Sequence, residues 1–257
     1  MTAVHNAAQA GFSTQAGTYA QGRPEYPGEI NTWLRTALDI NPGSTVIDLG
    51  AGTGKFTRLL TSITTDVIAV EPIDAMRLEF ARHLPDANIL AGTADAIPLG
   101  DAQADALVCA QAFHWFANEA ALAEIHRVLK PNGRLGLIWN VRDESVDWVA
   151  AITKIITPYE GDTPRFHTGD WRRPFKGRYF SAPELTCFNY THTGTPEAVI
   201  MDRFLSVSFI AALAPEQKAL VSEQLSKLIH THPALRGRET IEFPYQTQAY
   251  LCRAVAL

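Results

Sequence analysis

The 257-residue sequence predicts an α/β fold, a doubly wound and mostly parallel sheet. Three observations lead there. Apolar runs of strand length alternate with longer amphipathic stretches through the first half. One strand, Val46 to Leu49, runs straight into a glycine loop that opens a helix. A later strand ends on a carboxylate, Glu71, followed by Pro72. The chain is 46% hydrophobic, enough to bury one large core.

The elements follow in order. After a polar segment, Tyr19 to Pro27 is rich in Pro, Gly, Arg and Tyr. Pro27 suits a first helical turn, and Trp33, Leu34, Ala37 and Leu38 form an apolar stripe ended by Asn41-Pro42-Gly43. Strand one covers Thr45 to Leu49. Phe56, Leu59, Leu60 and Ile63 mark the next helix, and Val67 to Val70 is strand two. Asp74 is placed to cap a helix through Met76 and Phe80. Strands three and four are Asn88 to Ala91 and Ala106 to Ala110. A helix through Leu122 and Ile125, a turn at Lys130 to Gly133, and a fifth strand from Arg134 to Asn140 complete the regular half.

The second half is less regular. Thr157 to Tyr179 reads as a long connection, Glu184 to Thr191 as strand six, and Phe243 to Ala254 as a last strand broken at Pro244. Helical patterns cover Glu197–Phe204 and Glu216–Ile229. In the second, Leu220, Val221, Leu225 and Leu228 read as core of a small helical cap, formed between the strands of a C-terminal antiparallel hairpin. The cluster Trp171 to Tyr179 reads foremost as a solvated loop, with a gate for an anionic substrate or a nucleic-acid contact as the sharper alternatives.

Bulk composition excludes several functions. A formal net charge of -5 argues against a general nucleic-acid binder. No apolar run reaches membrane-spanning length, and no basic-then-apolar leader opens the chain. Cys109, Cys187 and Cys252 are scattered, which fits reduced thiols in a cytoplasmic protein. His230-Thr231-His232 is a poor metal pair, because positions two apart diverge on a helix. No metal is expected. The oligomeric state stays open.

The chemistry lies in Val46-Ile47-Asp48-Leu49-Gly50-Ala51-Gly52-Thr53-Gly54. Alternating glycines let a ligand approach the backbone, and the following helix presents free N–H groups. Glu71 suits the two hydroxyls of a ribose, so the pair indicates an adenosine-type cofactor. The spacing is Gly-x-Gly-x-Gly, not the dinucleotide Gly-x-Gly-x-x-Gly. Asp48 suits an α-ammonium group better than a pyrophosphate, and Asp95, beside Ala94, suits an adenine amino group.

The runs "VIDLGAGTGKFT", "VIAVEPIDAMR", "GTADAIPL", "ADALVCAQAFHWF" and "EIHRVLKPNGRLGLIWN" resemble the successive motifs of class I S-adenosylmethionine (SAM)-dependent methyltransferases. They are most similar to the type 11 group, which includes trans-aconitate and ubiquinone/menaquinone enzymes. The resemblance covers residues 12–140 and implies a Rossmann-like, seven-stranded fold. It implies that Asp48, Gly50, Gly52 and Gly54 hold the methionine part of SAM. Glu71 and Pro72 would then hold the ribose, Ala94 and Asp95 the adenine, and Gln111 would lie near the sulfonium. Residues 1–28 resemble the group's lid, with Tyr19 and Arg23 closing over the cofactor. Residues 29–257 are expected to form the catalytic domain, with cap elaborations at 157–180 and 195–236.

The acceptor is expected to be a small molecule methylated at oxygen or carbon, a carboxylic acid or a quinone-like phenol. It would lie against Gln111-Ala112-Phe113-His114-Trp115-Phe116. His114 is the candidate base, unless it only orients Trp115. Trp115, Asn140 and Arg142 are candidate substrate contacts. An NAD(P)-dependent oxidoreductase, an RNA or protein methyltransferase and a non-catalytic SAM-binding protein stay as alternatives.

Overall fold

The structure, a computed structural model, describes residues 23–256. The expected lid residue Tyr19 lies outside them. The strands are β1 (Val46–Leu49), β2 (Val67–Val70), β3 (Asn88–Leu90), β4 (Ala104–Ala110), β5 (Leu129–Arg142), β6 (Glu184–Gly194) and β7 (Ile241–Arg253). The main helices are α1 (Glu29–Thr36), α2 (Lys55–Leu60), α3 (Asp74–His83), α4 (Glu119–Val128), α5 (Asp147–Ile156) and α6 (Pro215–Thr231).

One seven-stranded sheet runs in the order β3-β2-β1-β4-β5-β7-β6. β1 pairs in parallel with both β2 and β4, so the strand order reverses there. That switch point opens a crevice beyond the carboxyl ends of β1 and β4. β7 pairs antiparallel with β5 and β6, giving the expected Rossmann-like sheet with a C-terminal hairpin. β1 is buried throughout and β4 nearly so, as a strand covered on both faces requires.

Helices α1 and α2 cover one face through Ile30, Leu34, Phe56 and Leu60. α4 covers the other through Leu122 and Ile125. A separate apolar cluster forms the cap. It joins α5, a wide π-type turn at Glu197–Asp202 and α6 to the first residues of β7.

Several local expectations are corrected. Asp74 is not the cap of α3: Ile73 takes that position, and Asp74 sits in the first turn paired with Arg77. A carboxylate there still favours the helix through the dipole. β7 is not broken at Pro244, which lies opposite Thr191. The β5 pairing ends at Arg142–Tyr245, so the missing N–H falls where one neighbour has already left. Leu220 is exposed, and the inward stripe of α6 is Val221, Leu225 and Ile229. The aromatic residues of 171–179 are not solvated: Trp171 is buried against Trp139 and Tyr250, and Phe175 packs on Phe113. α5 was not anticipated, although Trp148, Val149, Ile152 and Ile156 carry its buried stripe. Among the described residues no helix is long and apolar enough to cross a membrane.

Candidate active site

The crevice at the switch point encloses about 1030 Å³, part of it open to solvent. Its floor is the loop from β1 to α2. Gly52 has φ +57°, and a Cβ built there would meet nothing within 4 Å. The backbone is therefore bare on the side that faces the crevice. Gly54 has φ +86°, but a Cβ there would meet Phe80 and Leu84 at 2.8 Å. The two glycines thus answer different needs, ligand access at Gly52 and close packing at Gly54.

Two buried carboxylates flank the loop. Asp48, near the end of β1, accepts a hydrogen bond from Thr57 Oγ1 at 2.6 Å on Oδ2. Its Oδ1 is buried without a partner. Burial pushes its carboxyl up to about 7. The Thr57 bond opposes the rise and the Glu71 charge adds to it. Glu71, just past β2, accepts from the backbone N–H of Gly52 on Oε2 and of Ile73 on Oε1, each at 3.0 Å. Burial raises its carboxyl too, against those two bonds and the Arg77 charge. Glu71 therefore fixes the glycine loop as well as facing the crevice.

Of the residues singled out from the sequence, Arg23, Asp48, Gly50, Gly52, Glu71, Pro72, Gln111, Trp115 and Asn140 line this crevice. Gly54 does not, for the packing reason above. Ala94 and Asp95 lie outside the lining: Ala94 is buried in the core, and Asp95 Oδ1 accepts from Thr93 Oγ1 at 2.6 Å.

Gln111 has φ +60°, and its N–H bonds to Ile138 O at 2.8 Å, which turns the chain sharply after β4. A short helical turn, Phe113–Trp115, then places His114 beside Trp139 on β5. Trp139 Nε1 lies 3.1 Å from His114 Nδ1. An indole N–H only donates, so Nδ1 is the acceptor, and the neutral ring carries its proton on Nε2. Burial, with the charges of Arg165 and Arg23, lowers its pKa to about 3. The one basic lone pair of His114 is thus taken by Trp139. In this arrangement Nε2–H is the ring's available group, which argues against His114 as a base.

Asn140 is likewise committed. Its Nδ2 donates to Glu25 O at 2.9 Å, and its Oδ1 accepts from Thr247 at 2.6 Å. Lys55 also bonds Arg23 O and pairs with the Glu25 carboxylate at 3.3 Å. Residues 23–25 are therefore tied down across the mouth of the crevice. Arg142 opens instead onto an adjoining chamber, together with Arg165 and Arg203. Arg165 and Arg203 were missed in the sequence, since one lies in an irregular connection and the other on a helix of the cap. The only signal was the basic residues scattered through both.

Comparison with known proteins agrees with this geometry. Residues 47–137 match a family model described as a methyltransferase domain, of type 11. The chain is 40% identical over 242 residues to an uncharacterized methyltransferase-like protein of Schizosaccharomyces pombe, covering 93% of each. It is 38% identical over 236 residues to an uncharacterized methyltransferase of Mycobacterium tuberculosis, covering 92% of each. Its fold is similar, at TM-score 0.57 and 14% identity, to that of phosphoethanolamine N-methyltransferase 2 of Haemonchus contortus. That match covers 100% of this chain and 61% of the other, which was solved with S-adenosylhomocysteine. The chain belongs to the type 11 class I methyltransferase family.

Proposed function

We propose that the protein uses SAM to methylate a small organic molecule. The observation that carries this reading is the pair of buried carboxylates on either side of the bare Gly52 backbone, one of them with an unpaired oxygen. An unpaired, buried Asp48 Oδ1 is costly, and an α-ammonium group is the partner it lacks. Both Glu71 oxygens keep lone pairs for ribose hydroxyls. A dinucleotide pyrophosphate would bring negative charge to the Asp48 side, so the donor set fits the amino-acid end of SAM. Bound there, SAM supplies a methyl group activated by its sulfonium.

The protein's part is alignment and exclusion of water. Trp115 offers an aromatic wall shared by the crevice and the adjoining chamber. Neutral His114 cannot readily take a proton, which favours an acceptor atom that needs none removed. Ala94 and Asp95, just beyond β3, are proposed to reach the adenine from outside the present lining.

Titration calorimetry with SAM and with NAD, on wild type and Glu71→Ala, tests the reading. SAM should bind and NAD should not. The variant should bind SAM about 5- to 150-fold more weakly, the equivalent of ~1–3 kcal/mol for unpaired hydroxyls. NAD binding without SAM binding would return the glycine loop to dehydrogenase chemistry.

A further inference from the structure

The crevice opens into a second chamber of about 810 Å³ between the end of β5 and the cap. Three guanidinium groups reach it from three separate elements. Arg142 comes from the end of β5, Arg165 from the 157–180 connection, and Arg203 from the short helix that follows the π-type turn. Arg23 and Arg203 lie at the junction and line both spaces.

Their charges are incompletely matched. Arg142 lies 3.8 Å from Glu144, a long ion pair, and over the Phe204 ring. Arg165 Nε lies 3.2 Å from Glu160 Oε1 without an aligned hydrogen bond. Arg203 has no carboxylate within ion-pair distance among the described residues, and its Nε and Nη1 are buried without a hydrogen-bond partner. Burial depresses Arg142 and Arg165, and repulsion from Arg203 adds to both shifts. Three guanidinium groups thus share two carboxylates. A buried charge left in this state is costly, and an entering anion relieves it.

We propose that this chamber anchors the carboxylate of a small organic acid, through Arg203 with Arg142 and Arg165, as the substrate-recognition site of the methyltransferase. The proposal rests on the SAM-dependent reading above. A guanidinium fork matches a carboxylate with two parallel bonds. Trp115, Trp139, Phe166 and Val207 give the chamber an apolar side that suits a carbon skeleton, beside the polar groups of Gln111, Asn140, Glu144, His167 and Ser208. The apolar side favours an organic anion over inorganic phosphate. An ionised acid also arrives needing no base, in keeping with the neutral ring of His114.

The test is titration calorimetry on full-length protein saturated with S-adenosylhomocysteine. The probes are benzoate, succinate, glutarate and tricarballylate, their uncharged amides, and inorganic phosphate. At least one acid should bind at millimolar concentration or below, and its amide should not. Arg203→Gln should weaken that acid about tenfold or more, and Arg203→Lys should recover part of the loss. Arg142→Gln, which lies away from the cofactor crevice, should weaken the acid while leaving SAM affinity within about twofold, a check on folding as well. Failure of all the acids to bind, equal binding of acid and amide, tighter binding of phosphate, or unchanged affinity in both glutamine variants would each overturn the proposal. SAM affinity, measured first on the same sample, separates the two readings. SAM binding without acid binding refutes only the anion site, whereas loss of SAM binding itself refutes the cofactor assignment.

Discussion

Replacing Gly52 and Gly54 in turn by alanine separates a glycine kept for its ligand from one kept for the fold. Both have positive φ, at +57° and +86°, so each alanine carries a left-handed strain of ~1–2 kcal/mol. At Gly54 the new Cβ also lands 2.8 Å from both Phe80 and Leu84, and Phe80 is fully buried. Overpacking of that kind costs a further ~1–3 kcal/mol. For a chain of this size each kcal/mol lowers Tm by about 2–4 °C. Gly54→Ala should therefore lose about 4–20 °C, and Gly52→Ala only about 2–8 °C. Binding should show the reverse order. The Gly52 methyl enters open space on the crevice side, where the proposed cofactor would lie against the backbone. Scanning calorimetry gives the first quantity, and SAM titration at a temperature where both variants are folded gives the second. Gly52→Ala binding SAM as tightly as wild type would refute the placement of the ligand against this loop, whatever its stability.

Other outcomes follow from the same geometry. Asp48 holds its proton up to about pH 7 in the fold, against 3.8 ordinarily. The stability it contributes is therefore fully present below about pH 3.8 and is lost as pH rises from there to about 7, and Asp48→Asn should flatten that slope in denaturant titrations. A bound ammonium favours the ionised carboxyl, so SAM binding below pH 7 should release a proton, visible as a buffer-dependent calorimetric heat. His114 should show no ring titration between pH 5 and 8 by NMR, and an inflection near its ordinary 6.5 would restore it as a base. Asn140→Asp replaces the donor to Glu25 O with an acceptor, so hydrogen exchange over residues 24–28 should quicken and SAM affinity should fall. Unchanged exchange there would show that Lys55 and Arg58 hold the segment without Asn140.

The crevice at the switch point was legible because its residues are local in sequence. Asp48, Gly50, Gly52 and Glu71 sit at strand ends, and a buried strand of four apolar-facing residues fixes where its end must be. The parallel order around β1 then brings those ends together, whatever the rest of the chain does. Pro244, Leu220 and Asp74 failed for the opposite reason. Each was judged from its own propensity, while its outcome was set by a neighbour: the early end of β5, the side of α6 that meets the cap, and Ile73 taking the capping position. Trp171 belongs with them, because a basic-aromatic run looks solvated until Trp139 and Tyr250 are seen to enclose its ring.

His114 shows why the acceptor half resists this kind of reading. Its position after β4 was legible, but its chemistry depends on an indole 25 residues away. A histidine whose Nδ1 faced water would be a base near neutral pH. The same residue capped by Trp139 and set among Arg23 and Arg165 is a neutral donor. The guanidinium cluster is of the same kind. Arg142, Arg165 and Arg203 are 23 and 38 residues apart along the chain; Arg142 reads alone as a candidate substrate contact, and the other two as ordinary surface cations. Only the cap packed against the end of β5 makes them one group with too few carboxylates. If the chamber is the acceptor site, acceptor choice in this protein rests on long-range contacts between the cap and the sheet. Relatives can keep the glycine loop and its two carboxylates intact while changing what they methylate.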